Sequence, residues 1–208
     1  MAIRQLQELQ DAEGAWSWYK GMDGSRYITT QVMELLTRLQ QLTGQPLVEK
    51  ESNGMYEKAL AYLAKIAKEE YIRMKEWEKE GMKNLCPSEQ VLHYLYICAL
   101  NGNQKTDKEV NRYFIEKLVQ LDNMRLLTIY GKACASIILQ DAGYEAKAKA
   151  YLQSVMEYSV YTDEMGRYFD TPRAEYSWYS YGRIHTERYC SSPFGTAHSR
   201  CVCISLQE

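Results

Sequence analysis

Gln10-Asp11-Ala12-Glu13-Gly14-Ala15-Trp16-Ser17-Trp18-Tyr19-Lys20-Gly21-Met22-Asp23-Gly24-Ser25 is the stretch on which the reading of the fold turns. It follows residues 2–10, whose pattern is that of the last turns of a helix. Each of three residues has a physical use at such a place. Gln10 can satisfy backbone groups at a helix C-terminus or in the loop. Gly14 lets the chain turn where a β-carbon would clash. Trp16 can then fold back against a pair of helices. The order Gln, a short gap, Gly, any residue, Trp therefore describes a corner between helices.

Outward from this corner the pattern is helical almost throughout. Ile28, Val32, Leu35, Leu36, Leu39 and Leu42 mark the expected inner face of one helix, closed by Gly44 and Pro46. Tyr56, Leu60, Leu63, Ala67, Tyr71 and Met74 mark the next, with Lys and Glu on its far side. Pro87 and Ser88 open a helix that carries Val91, Leu92, Leu95, Tyr96 and Ala99 inward. Thr106 and Glu109 read as a capping box ahead of Val110, Phe114, Leu118 and Leu121. A helix rich in small residues is expected from about Met124 to Gln140. Beyond Gly143, Tyr144, Ala148, Tyr151, Val155 and Tyr158 fall in register. Two-residue alternation is confined to a weak run at Ser154–Tyr161. The expected class is all-α, built from helical hairpins with short connections.

A second aromatic loop begins at Asp163 and echoes the first. Each has an acidic turn, a Gly and an aromatic two residues later: Gly14 with Trp16, Gly166 with Tyr168. Each also holds a Ser-Trp-Tyr cluster, Ser17-Trp18-Tyr19 and Ser177-Trp178-Tyr179. Reuse of a corner is what a repeating architecture produces. The reading favours structural corners, since buried Trp and Tyr mainly supply packing area; ligand stacking is the alternative.

The pattern of Gln10, Gly14 and Trp16 resembles the repeat motif of α/α-toroid proteins: terpenoid cyclases, protein prenyltransferase β-subunits and the thioester domains of alpha-2-macroglobulin and complement proteins. Its extension from Gly14 through Ser25 to Thr29 resembles the corresponding segment of bacterial alpha-2-macroglobulin-like proteins, especially the long forms common in Bacteroidetes. Tyr168 to Tyr181 is similar to a later segment of the same domain. The resemblance covers residues 1 to about 181. It implies an incomplete toroid belonging to a larger exported, periplasmic or envelope-attached protease trap, with proteases and the parent's other macroglobulin-like domains as partners. The opening residues themselves lack the apolar block of a signal peptide, so this segment expressed alone is expected to stay in the cytoplasm.

Bulk composition limits other functions. Twenty-five basic side chains face 27 acidic ones, a net charge of -2, so there is no basic surplus for nucleic-acid binding. No apolar run approaches a membrane span, so no membrane contact is expected. Eighteen tyrosines against three phenylalanines bring many ring hydroxyls that want partners.

No residue set reads as catalytic, cofactor-binding or metal-binding. The family thioester joins the Cys and Gln of Cys-x-Glu-Gln; Cys86-Pro87-Ser88-Glu89-Gln90 has one residue too many, and Pro87-Ser88 reads as a helix start, so no thioester is expected. Asp163, Glu164 and Asp170 could be carboxylate ligands but are read as turn residues. The cyclase-type Asp-x-Asp-Asp motif is absent. His93, in an apolar helix, is read as a satisfied core or groove histidine. The Lys/Glu run from Lys65 to Lys83 reads as a solvated face. After Tyr181 the helical period is lost. His185, Cys190, His198, Cys201 and Cys203 are ligand types whose spacing matches no standard zinc module. Residues 182–208 are read as a non-native tail, the product of a frameshift, because shifting the reading of Arg183–Ser191 by one nucleotide can restore a family-like continuation. Two further functions stay open: an α/α-toroid enzyme acting on an isoprenoid or polysaccharide, and a helical-repeat interaction module.

Overall fold

The computed structural model describes residues 2–44, 54–102, 106–164 and 166–169. Asp170, Trp178, Tyr179 and the whole 182–208 stretch lie outside the described residues. The described chain is predominantly helical: α1 (Ala2–Leu9), α2 (Arg26–Thr43), α3 (Met55–Lys79), α4 (Glu89–Leu100), α5 (Lys108–Gln120), α6 (Ile129–Asp141) and α7 (Glu145–Met156). One antiparallel hairpin follows, β1 (Ser159–Thr162) paired with β2 (Gly166–Phe169). The weak alternation ending at Tyr161 thus belongs in part to a strand, and the second aromatic loop opens as its partner. The chain divides within α5 into two compact units, Met1–Phe114 and Ile115–Glu208.

In the first unit the core forms around α4, buried continuously from Val91 to Cys98. A helix apolar on every side can only be satisfied inside. Ser88 caps it, its Oγ accepting from Val91 N at 3.3 Å, as the sequence implies. On α3 five of the six expected residues, Tyr56, Leu60, Leu63, Ala67 and Met74, are buried, joined by Glu70, while Tyr71 is half-buried.

The outcome for α2 is the reverse of the expectation. Of the six residues assigned inward, only Leu36 is buried; Leu35 is 65%, Leu39 39% and Leu42 58% exposed. The inner face is Thr29, Thr30, Met33, Glu34, Leu36 and Thr37. Threonine can occupy it because its hydroxyl is satisfied within the helix: Thr29, Thr30 and Thr37 donate to the carbonyls of Ser25, Arg26 and Met33. The methyl is then left to pack.

Two helix starts differ from expectation. Asp107, not Thr106, caps α5, its Oδ1 accepting from Glu109 N at 3.1 Å and Val110 N at 3.4 Å. A carboxylate is as good a cap as a hydroxyl and adds a favourable charge at the helix N-terminus. Thr106 Oγ1 instead accepts from Asn111 Nδ2. Met124–Leu126 is a 3₁₀ turn capped by Asn123, and α6 begins only after Thr128, whose Oγ1 accepts from Gly131 N.

In the second unit α6 and α7 form a helical hairpin. Tyr151, fully buried, donates to Leu118 O at 3.0 Å, and Ser136 donates to Ala148 O at 2.9 Å. Lys132 is 2% exposed; its ammonium donates to Ser154 Oγ at 3.0 Å and lies 4.6 Å from the Tyr158 ring centre. Burial of its stem is tolerated because the head meets a hydroxyl and a ring face.

Candidate functional site

The corner after α1 is assembled by side chains that bond backbone. Gln10 Nε2 donates to Gly14 O (3.0 Å) and to Met55 O (2.9 Å) at the start of α3. Asp11 and Ala15 exchange backbone and side-chain bonds: Asp11 N donates to Ala15 O, and Ala15 N donates to Asp11 Oδ1 at 2.8 Å. Trp16, 2% exposed, donates from Nε1 to Leu6 O (2.8 Å) and from its backbone N to Thr29 Oγ1 (2.9 Å). Gly14 has φ +96, and a β-carbon there would stand 2.5 Å from the Lys58 carbonyl oxygen. The corner therefore joins α1, α2 and α3 by direct contact, and Gln10, Gly14 and Trp16 each contribute one necessary part.

The aromatics that follow behave differently. Trp18 is 60% and Tyr19 74% exposed. Trp18 stacks on Tyr27 at 5.7 Å with 16° between the planes, and Ser17 Oγ donates to Tyr19 O at 2.7 Å. In the second corner, Gly166 has φ +69 and Tyr168 is half-buried opposite Val160, while its neighbour Phe169 is buried.

The described residues also contain a buried ionic cluster that the sequence does not announce. Glu34 on α2 is 5% exposed and His93 on α4 is 7% exposed. Glu34 Oε2 bonds His93 Nε2, and its Oε1 pairs with Arg38 Nη2 at 2.5 Å. Arg38 also donates to Tyr96 OH at 2.9 Å and lies over that ring. One carboxylate thus ties two helices together. The available signal for the partner of His93 is the i,i+4 pair Glu34 and Arg38 inside an otherwise apolar and threonine-rich helix. A second buried carboxylate, Glu70, accepts from Ser88 N (2.8 Å) and Ser88 Oγ (2.7 Å), with Arg26 and Arg73 at 3.8 and 3.9 Å. It braces α3 against the start of α4. Burial lowers the pKa of Arg26, and the neighbouring Glu70 opposes that shift.

Cys86 precedes that helix start and is half-buried; Glu89 and Gln90 sit exposed on the first turn. Burial, with Glu70 and Glu89 adding to it, pushes the Cys86 thiol up to about 11. Because the thiolate is the reactive form, iodoacetamide should modify Cys86 on the order of a hundredfold more slowly at pH 8 than an ordinary cysteine. The rate should climb about tenfold per pH unit up to roughly pH 10. Peptide mapping of Cys86 alkylation against pH checks this. A rate that levels off near pH 9 contradicts it.

Asp163 and Glu164 form the turn of the β1–β2 hairpin and are exposed. Among the described residues no three His, Cys, Asp or Glu side chains gather in a way that could hold a metal ion, and no helix is long and apolar enough to cross a membrane. Comparison with protein-family models, with curated proteins and with solved structures returned no match.

Proposed function

We propose that this chain is a non-catalytic segment of an α/α-toroid domain from a macroglobulin-like, protease-trapping protein, which meets proteases only through its parent. The observation that carries the reading is the corner at Gln10, Gly14 and Trp16. Its three residues bridge consecutive helices in the manner a helical-hairpin repeat requires, and they are the residues on which the family resemblance rests. The polar groups found buried support a scaffold role: Glu34, His93 and Glu70 are spent on joining helices.

The DNA on either side of the coding segment tests the proposal. Adjoining frames should encode further macroglobulin-like domains, and a neighbouring frame beyond the codons for residues 182–208 should encode more toroid helices. Flanking sequence with neither sinks it. Incubated with a proteinase, the 208-residue chain alone should form no covalent or trapped complex.

A further inference from the structure

Tyr71, Lys75 and Glu78 succeed one another on α3 at steps of four and three, which sets them on a single helix face. Tyr113 on α5 closes the same space. The rings of Tyr71 and Tyr113 stand 4.9 Å apart, centre to centre, at 83° to one another. The Lys75 ammonium lies over both, 4.5 Å from the centre of Tyr113 and 5.9 Å from that of Tyr71. Both walls are fixed from α5: Tyr71 OH donates to Glu109 Oε1 at 3.1 Å, and Tyr113 packs edge-on against Phe114 at 5.5 Å. Glu78 Oε2 is 3.7 Å from the ammonium, close enough to act as a charge and too far to accept a hydrogen bond. Among the described residues Lys75 Nζ has no hydrogen-bond acceptor. The box therefore attracts positive charge through ring faces and a carboxylate, and it offers nothing to an N–H group.

We propose that this box between α3 and α5 is a binding site for a quaternary ammonium group, the trimethylammonium head of a small ligand, and that Lys75 is the plug which that head displaces. Ring faces attract any cation through their quadrupole, and more strongly once the cation has lost its water. A primary ammonium is strongly hydrated, and on entering the box it gives up water without gaining a hydrogen bond. A quaternary ammonium has no N–H to leave unsatisfied, so it gains the ring and charge contacts without that cost. The plug can leave. Lys75 has a long flexible stem and a side chain 45% exposed, so its head can swing into water without moving α3. Its departure bares the face of Tyr113, now 7% exposed, and leaves the carboxylates of Glu78 and Glu109 at the rim for the incoming charge. The site stands apart from the family reading, and either can fail alone.

Titration of the 208-residue chain with tetramethylammonium chloride tests the site, followed by the nuclear magnetic resonance signals of isotope-labelled tyrosine rings. Methylammonium chloride at equal ionic strength is the control, since it carries the same charge with N–H donors. The expected result is saturable binding of tetramethylammonium at about 1–10 mM. Lys75→Ala removes the plug and should tighten binding about tenfold, because apparent affinity falls with the fraction of molecules in which the box is open. Methylammonium should bind Lys75→Ala at least about tenfold more weakly than tetramethylammonium does. Lys75→Gln removes the charge and gives the same readout if Lys75→Ala fails to fold. Adding Tyr71→Leu to the unplugged chain should abolish binding, and adding Glu78→Gln should weaken it about fivefold. Shifts that do not saturate in the unplugged chain overturn the proposal. So does methylammonium binding as tightly as tetramethylammonium, or binding that both Tyr71→Leu and Glu78→Gln leave unchanged.

Discussion

Gly14→Ala should destabilise the first unit by about 3–4 kcal/mol. Two costs combine. The first is conformational, since φ at Gly14 is +96, where an alanine β-carbon is strained. The second is steric: that carbon would lie 2.5 Å from the Lys58 carbonyl oxygen and 2.6 Å from its carbon. Both atoms belong to the backbone of α3, so no rotamer change relieves the contact. Either α3 moves away from the corner or the corner opens, and the second course strips the bonds from Gln10 to Gly14 O and Met55 O. Gly21 separates the two costs. Its φ is +91, and nothing lies within 4 Å of where a β-carbon would stand, so Gly21→Ala should lose only about 1 kcal/mol. Urea titration of both variants, followed by circular dichroism, makes the comparison. Equal losses would mean that the approach to α3 contributes little.

Glu34→Leu should cost about 3–5 kcal/mol, because it leaves the buried His93 and the half-buried Arg38 without their carboxylate. The loss measures the removal of one partner, not the net worth of the cluster. Desolvating three ionisable groups is expensive enough that an apolar set of similar volume can do as well. The triple variant Glu34→Leu, Arg38→Met, His93→Leu should therefore recover most of the stability lost by Glu34→Leu alone. If the triple variant is as unstable as the single one, the cluster contributes more than mutual compensation. The same denaturation experiment decides.

Legibility in the sequence depends on whether a helix offers one apolar stripe or two. In α3 and α5 the apolar residues define a single face and in α4 they run all round, and Leu60, Leu63, Val91, Val110 and Phe114 are buried as that pattern implies. In α2 two stripes compete. The aliphatic one is the more hydrophobic, yet the core takes the threonine-rich one. Period alone cannot choose between them, because the hydroxyl bonds that make Thr29, Thr30 and Thr37 apolar in effect are visible only once the helix exists. The cluster of Glu34, Arg38 and His93 is hidden for the same reason: hydrophobicity alone turns its side of α2 toward solvent. Caps are legible where one candidate stands at the boundary, as at Ser88. They are misplaced where two stand together, as at Thr106 and Asp107. In the Gln10 corner, residue type reveals each role, but not that Gln10 reaches across 45 positions to Met55.

That reach has a consequence for the order of folding. With eight residues, α1 is too short to persist alone in water. Its C-terminal attachment to Met55 and the close fit of Gly14 to Lys58 both need the first turn of α3. During synthesis, α1 and Trp16 therefore wait until the first turns of α3 have left the ribosome. Until then Trp16 lacks the corner that encloses it, and the corner closes through contacts distant in sequence rather than growing as a local nucleus from α1.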